Sequence, residues 1–357
     1  MSKVHNFSAG PSILAPEVIE GAANAVKDLD NIGLSLIEIS HRSKEFISIM
    51  DEAQSLVREI LDVPDNYSIL FLQGGASLGF YMAALNFMKE GGTGAYLNTG
   101  AWSKKAIKEA KLVGNVEVVG SSEDANFNYI PKDYTVSTNW DYLHLTSNNT
   151  IFGTQIKNFP LSRIPVVCDM SSDILSRKIN VSDFDMIYAG AQKNMGPAGT
   201  TLYIIKNDII GKSGRIIPSM LNFGIHADKG SMFNTPPVFA IYTCLLTLRW
   251  VKENGGIEAM EKRNEEKAQL LYAEIDSNPM FEGTAARDDR SNMNVTFVLK
   301  DDANKETFDK MWTSAGISGV KGHRDVGGYR ASIYNAMPKE SIQVLVDIMR
   351  EFAAQPA

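Results

Sequence analysis

Two cysteines in a chain of 357 residues leave no material for a disulfide-stapled scaffold or a cysteine-rich metal centre. Cys168 lies in the apolar run Val166-Val167-Cys168 and Cys244 in a segment of helical spacing. Both are expected to be buried thiols, neither has the neighbours of a metal site, and a reducing compartment is implied. Long apolar runs are also missing. Nothing approaches the roughly 18–20 residues of a membrane span, and Met1-Ser2-Lys3-Val4-His5-Asn6 has no signal-peptide core. The expectation is a cytoplasmic protein without a membrane partner. There is no run of Lys and Arg, and the net charge is -7, which argues against a nucleic-acid partner. Internal repeats and low-complexity segments are absent as well.

What remains is an ordinary globular composition, 44% hydrophobic and 22% charged, in a chain long enough for two cores. From Ser68 onward short apolar runs alternate with helical segments. Strands are expected at Ile69–Leu72, Ala95–Leu97, Val116–Val119, Tyr142–Leu145, Val166–Cys168, Met186–Tyr188 and Leu202–Ile205, with helices such as Leu78–Met88 and Ser103–Leu112 between them. That alternation predicts an α/β fold with a mainly parallel seven-stranded sheet covered on both faces. In such sheets ligands gather at the C-terminal strand ends. After the apolar segment Val238–Val251, Gly255-Gly256 marks a boundary between a large unit, 1–255, and a smaller α+β unit, 256–357. The smaller unit is read as a helix from Ile257 to Ser277, a strand Asn294–Leu299, a helix Lys305–Ala315, a glycine-rich loop and a last helix Lys339–Phe352.

Four groups stand at the ends of expected strands. Gln73-Gly74-Gly75-Ala76-Ser77 joins strand to helix, either as a structural turn or as an anion site built from free amides. Trp102 begins the helix after Ala95–Leu97, as a core residue or as a plate for a planar heterocycle. Asp169 ends an apolar strand, so its carboxylate either caps a turn with Ser171 and Ser172 or faces a cation. Lys193 follows Met186–Tyr188 in the restricted turn Gly190-Ala191-Gln192-Lys193-Asn194-Met195-Gly196-Pro197. An anion site, an aromatic plate, a carboxylate and a lysine together are what pyridoxal phosphate requires. Burial and a nearby cation would lower the lysine's pKa and keep its amine reactive.

Six motifs in order carry a resemblance over nearly the whole chain: Phe7-Ser8-Ala9-Gly10-Pro11, Ile39-Ser40-His41-Arg42-Ser43-Lys44-Glu45-Phe46, Gly74-Gly75-Ala76-Ser77, Asp169 to Arg177, Gly190-Ala191-Gln192-Lys193-Asn194, and Gly322-His323-Arg324-Asp325-Val326-Gly327-Gly328-Tyr329-Arg330-Ala331-Ser332. The chain resembles the phosphoserine aminotransferase family, class V aminotransferases of the fold-type I pyridoxal-phosphate transferases. The resemblance implies that Lys193 holds the cofactor aldehyde, Asp169 meets the pyridine nitrogen and Trp102 stacks on the ring. It implies that Ala76, Ser77, Thr150 and Gln192 complete the cofactor site, while Asn234 and Thr235 reach the cofactor phosphate of a second subunit in a homodimer with shared active sites. His41, Arg42, His323 and Arg324 match the family's cluster for the substrate phosphate, and Arg330 its clamp on the substrate carboxylate.

The implied reaction moves an amino group from L-glutamate to 3-phosphohydroxypyruvate, giving phosphoserine and 2-oxoglutarate; some relatives also aminate a phosphorylated hydroxythreonine precursor of vitamin B6. Alternatives are a serine–pyruvate or alanine–glyoxylate type of aminotransferase, a cysteine desulfurase, for which neither cysteine is suited, and a catalytically silent cofactor-binding regulator. Two positions depart from the family pattern: Gly79, where many members carry glutamine, and Asn149, where they carry glutamate, beside Thr150.

Overall fold

A computed structural model describes residues 4–324 and 326–355; Asp325 of the last motif and the first three residues fall outside that description. All seven expected strands form one sheet, in the spatial order Tyr67–Leu72, Thr201–Lys206, Met186–Gly190, Val166–Asp169, Tyr142–Thr146, Thr93–Asn98 and Asn115–Ser121. Only Thr201–Lys206 runs antiparallel to its neighbours. The five inner strands are buried almost throughout, which is why they read as unbroken apolar runs rather than as alternating ones.

Helices α1 (Pro16–Lys27), α2 (Lys44–Ile60) and α6 (Val238–Glu253) cover one face, and α3 (Gly75–Phe87) and α4 (Ala101–Ala110) the other. α2 starts where Ser43 Oγ accepts from the Phe46 amide at 3.3 Å, and it buries Phe46, Ile49, Met50, Ala53 and Val57 at helical spacing. α5 is the short helix Phe223–Asp228.

The C-terminal part packs α7 (Gly256–Ser277), α8 (Lys305–Ser314) and α9 (Lys339–Ala353) on an antiparallel sheet of Phe281–Gly283, Asn294–Leu299 and Tyr329–Ser332. Phe281 lies among the rings of Phe297, Phe308 and Phe352, with centroids 5.0–5.9 Å away. Gly255 and Gly256 both take left-handed φ, 95° and 71°, and α7 begins there. The cores change over further along that helix: Ile257 and Met260 pack with the large sheet, Ala268 to Ile275 with the small one. The N-terminal arm crosses as well, since His5–Asn6 pairs with Ile317–Ser318 and Phe7 is fully buried in the small core.

Candidate active site

Six of the seven strands end on the same side of the sheet, and the C-terminal turns of five of them surround a cavity of about 310 Å³. It is lined by Gly75, Ala76, Ser77, Trp102, Thr150, Asp169, Gln192, Lys193, His323 and Arg330, all of which belong to the turns and residues singled out in the sequence. Its size falls within the roughly 300–1,000 Å³ typical of small-molecule sites.

Each wall has a local cause. Gly74 takes φ 106° and Gly75 φ 67°, so the chain turns from strand into α3, whose first residues Gly75, Ala76 and Ser77 line the cavity. A Cβ on Gly74 would lie 2.4 Å from Leu78 Cδ2. Trp102 is fixed by its own donor, Nε1 to Thr150 Oγ1 at 2.9 Å. Asn149, beside it, spends its side chain on Thr154 Oγ1 at 3.0 Å and Thr99 Oγ1 at 3.4 Å, leaving the Thr150 hydroxyl to Trp102 and the cavity.

Of the two possibilities left open for Asp169, the turn cap is seen directly. Its Oδ1 accepts from the Ser171 amide at 2.9 Å and the Ser171 hydroxyl at 2.6 Å, which caps the turn. Its Oδ2 has no hydrogen bond among the described residues, and Asp169 lines the cavity. Burial pushes the carboxyl up from its ordinary value, against the Ser171 hydrogen bonds and the charge of Lys193. A cation placed opposite Oδ2 would reverse that.

Lys193 Nζ lies 5.3 Å from the centroid of the Trp102 ring. Burial lowers its pKa to about 8, and Arg330 adds to the shift while Asp169 opposes it. The backbone at this lysine is held by the arm: the Ser12 amide donates to Gln192 O at 3.0 Å, and Ser12 Oγ donates to Lys193 O. Gly10 passes so close that a Cβ there would touch Lys193 Cγ at 3.4 Å. Arg330 reaches in from the small sheet, donating through Nη1 to Thr150 O at 3.2 Å. Its Nε is buried without a partner among the described residues, as is Thr146 Oγ1 beside the cavity. Orphaned buried atoms in a cavity wall are suited to a polar ligand that completes their hydrogen bonding.

Other expected residues are placed elsewhere. His41 and Arg42 precede α2, Arg42 exposed, and neither lines this cavity; Arg324 is exposed on the turn beyond His323. Asn234 and Thr235 line a separate, largely apolar cavity with Leu72, Gln73 and Leu78, where Gln73 Nε2 donates to Thr235 O at 3.0 Å. Residues not singled out from sequence include Thr146, Asn148 and Phe80. A signal was present for two of them, because Thr146-Ser147-Asn148-Asn149-Thr150 is a polar run directly after an apolar strand, and all five are buried.

With this geometry established, residues 4–345 match the family described as Aminotransferase class-V. The chain belongs to the class-V aminotransferases. Among its class-V relatives, phosphoserine aminotransferase of Flavobacterium johnsoniae is 62% identical over 349 residues, covering 98% of each chain. The phosphoserine aminotransferase of Bacteroides thetaiotaomicron is 56% identical over 352 residues, 98% of this chain and 99% of that one. The class-V fold is also seen in a solved phosphoserine aminotransferase from Bacillus circulans subsp. alkalophilus, with a TM-score of 0.96, 43% identity and 99% coverage of both chains. A phosphoserine aminotransferase from Trichomonas vaginalis, solved with bound PLP, has a TM-score of 0.92 at 38% identity, covering 98% of this chain and 100% of that one.

Proposed function

We propose that this class-V aminotransferase is a pyridoxal-phosphate-dependent phosphoserine aminotransferase, moving an amino group between L-glutamate and 3-phosphohydroxypyruvate to give O-phospho-L-serine and 2-oxoglutarate. The observation that carries the reading is one cavity shared by Lys193, Asp169, Trp102, the Gly75–Ser77 helix start and Arg330. The cofactor, when bound, supplies an aldehyde and an electron-withdrawing ring. The wall suits it: amides and the Ser77 hydroxyl for a phosphate, the indole for a ring, and Asp169 Oδ2 for a ring N–H.

The side chains divide the work. Lys193 Nζ, whose pKa burial lowers to about 8, moves a proton at the substrate's α-carbon. Asp169 keeps a proton on the ring nitrogen, and Ser171 keeps Asp169 oriented. Arg330, planar and cationic, pairs with the substrate α-carboxylate. His323 at the cavity wall and Arg324 beyond it serve the substrate phosphate. We assign His41 and Arg42 to the same phosphate in the partner subunit's cavity, because they do not line their own.

The same argument supports a homodimer with shared sites. Asn234 and Thr235 lie outside the chain's own cofactor cavity, next to the exposed Phe233. A cytoplasmic location is supported by two buried free cysteines, and no helix among the described residues is long and apolar enough to cross a membrane.

Use of phosphoserine against serine and alanine tests the substrate. The phosphate cluster predicts that phosphoserine is converted with a kcat/KM at least about a hundredfold above serine, the effect of charge-assisted hydrogen bonds lost together. Equal use of serine and phosphoserine would instead indicate the serine–pyruvate or alanine–glyoxylate chemistry.

A further inference from the structure

Three segments that carry site residues meet at the buried residue Asn335. The segment after Asp169 arrives first: Asn335 Nδ2 donates to Leu175 O at 2.7 Å, where Leu175 is held at φ 60° with its side chain buried. The lysine turn arrives second, as the Asn335 amide donates to Asn194 Oδ1 at 3.0 Å, and Asn194 Nδ2 donates to Ile174 O at 3.0 Å. Asn194 directly follows Lys193. The third segment is the chain beyond Arg330 itself, since Asn335 lies just past the Tyr329–Ser332 strand.

Helix α7 locks the arrangement from outside. Asn264 Nδ2 donates to Asn335 Oδ1 at 2.8 Å and to Ser176 O at 3.0 Å. One turn further on, Lys267, fully buried, donates through Nζ to Ile333 O at 2.8 Å and Tyr334 O at 2.6 Å. Carbonyls only accept, so the orientations of both amide side chains are forced by their partners. Asn335 thus offers a side-chain donor, a side-chain acceptor and a backbone donor to three different stretches, a combination an apolar residue of the same size lacks.

We propose that Asn335 is a positioning residue that fixes Arg330 relative to Lys193 and Asp169. The role given to Arg330 rests on the function proposed above. A shift of about 1 Å in such a group is enough to cost roughly a hundredfold in rate. Asn335 does not line the cavity. It acts by keeping the carboxylate clamp and the proton-moving amine in register, and α7 makes that register a property of the C-terminal part of the chain.

The test uses holoenzyme carrying Asn335→Asp, which keeps the shape but loses the donor to Leu175, and Asn264→Ala, a milder second break. Ile342→Val, buried in the small core and outside the network, serves as the control for general loosening. Inhibition by glutarate, a dicarboxylate with no amino group to exchange, reads Arg330. The pH midpoint of the bound cofactor's absorbance reads Lys193 and does not depend on which substrate is used. Expected is glutarate binding weakened by about tenfold or more in Asn335→Asp, less in Asn264→Ala, with the absorbance midpoint displaced. Ile342→Val is expected to change neither more than about twofold. Glutarate binding and midpoint within twofold of wild type in both network variants would overturn the proposal, whatever their thermal stability. Failure of the phosphoserine preference alone would count against the substrate reading and leave these two readouts as they are.

Discussion

Trp102 Nε1 donates to Thr150 Oγ1 at 2.9 Å, and the same indole faces Lys193 Nζ at 5.3 Å from its centroid. The ring is therefore clamped at its polar edge while its face stays turned to the amine. That is the arrangement for a plate that must not tilt. Trp102→Phe keeps a flat ring and loses the clamp. Cofactor affinity is expected to fall about three- to tenfold, the value of one neutral hydrogen bond. Trp102→Ala, which loses the plate as well, should weaken binding by roughly a hundredfold, measured by titrating apoprotein with cofactor.

The lowered pKa of Lys193 has a consequence for the apoprotein. A lysine whose folded value is about 8 rather than 10.5 binds fewer protons folded than unfolded between those two pH values. Stability therefore rises with pH through that window, relative to a variant without the group. Urea unfolding of apo wild type and apo Lys193→Met at pH 8 and pH 10 checks this: the wild type should gain on the variant. A loss, or parallel curves, would mean that the amine is not held in its neutral form by burial.

Gly79 sits where the packing leaves no room for a side chain. A Cβ at this position would lie 2.9 Å from Tyr188 Cδ2 and 3.3 Å from the Tyr203 hydroxyl. Those two buried tyrosines occupy the space beneath the first turn of α3, which carries Ala76 and Ser77. Gly79→Ala should cost about 1–3 kcal/mol through overpacking. Because the displaced turn faces the cofactor cavity, cofactor affinity should drop with it; thermal melts of apo and holo protein measure both effects.

Shared sites make a complementation prediction. Lys193→Ala chains and Asn234→Ala/Thr235→Ala chains should each be nearly inactive alone. Mixed and refolded together, they should regain activity, since a hybrid dimer carries one site in which lysine and phosphate contacts are both intact. Activity that stays at the level of the separate variants would place Asn234 and Thr235 with their own chain's cofactor.

The sequence made the five inner strands legible because each is buried on both faces and so appears as a continuous apolar run. Lys193, Asp169, Trp102 and the Gly74-Gly75 turn were legible because parallel strands deliver their ends to one side. Local signals carried no trace of the node at Asn335, whose partners Asn194, Leu175 and Asn264 are brought together only by the folded chain. Nor did they show that α7 divides its burial between two cores, since Ile257, Met260, Ala268 and Leu271 read as one apolar stripe. The placement of His41 and Arg42 outside the cavity likewise depends on how α2 packs, which no spacing of residues reports.

The central claim is that Lys193 is the proton-moving amine of a transaminase. One half-reaction tests it: holoenzyme is mixed with glutamate alone, without acceptor, and the 2-oxoglutarate released is quantified against time for wild type and for Lys193→Ala loaded with cofactor. Wild type should release about one equivalent per chain and stop, and the variant should do so roughly 10²–10⁴-fold more slowly. Release at the same rate from both, or none from the wild type, would contradict the account.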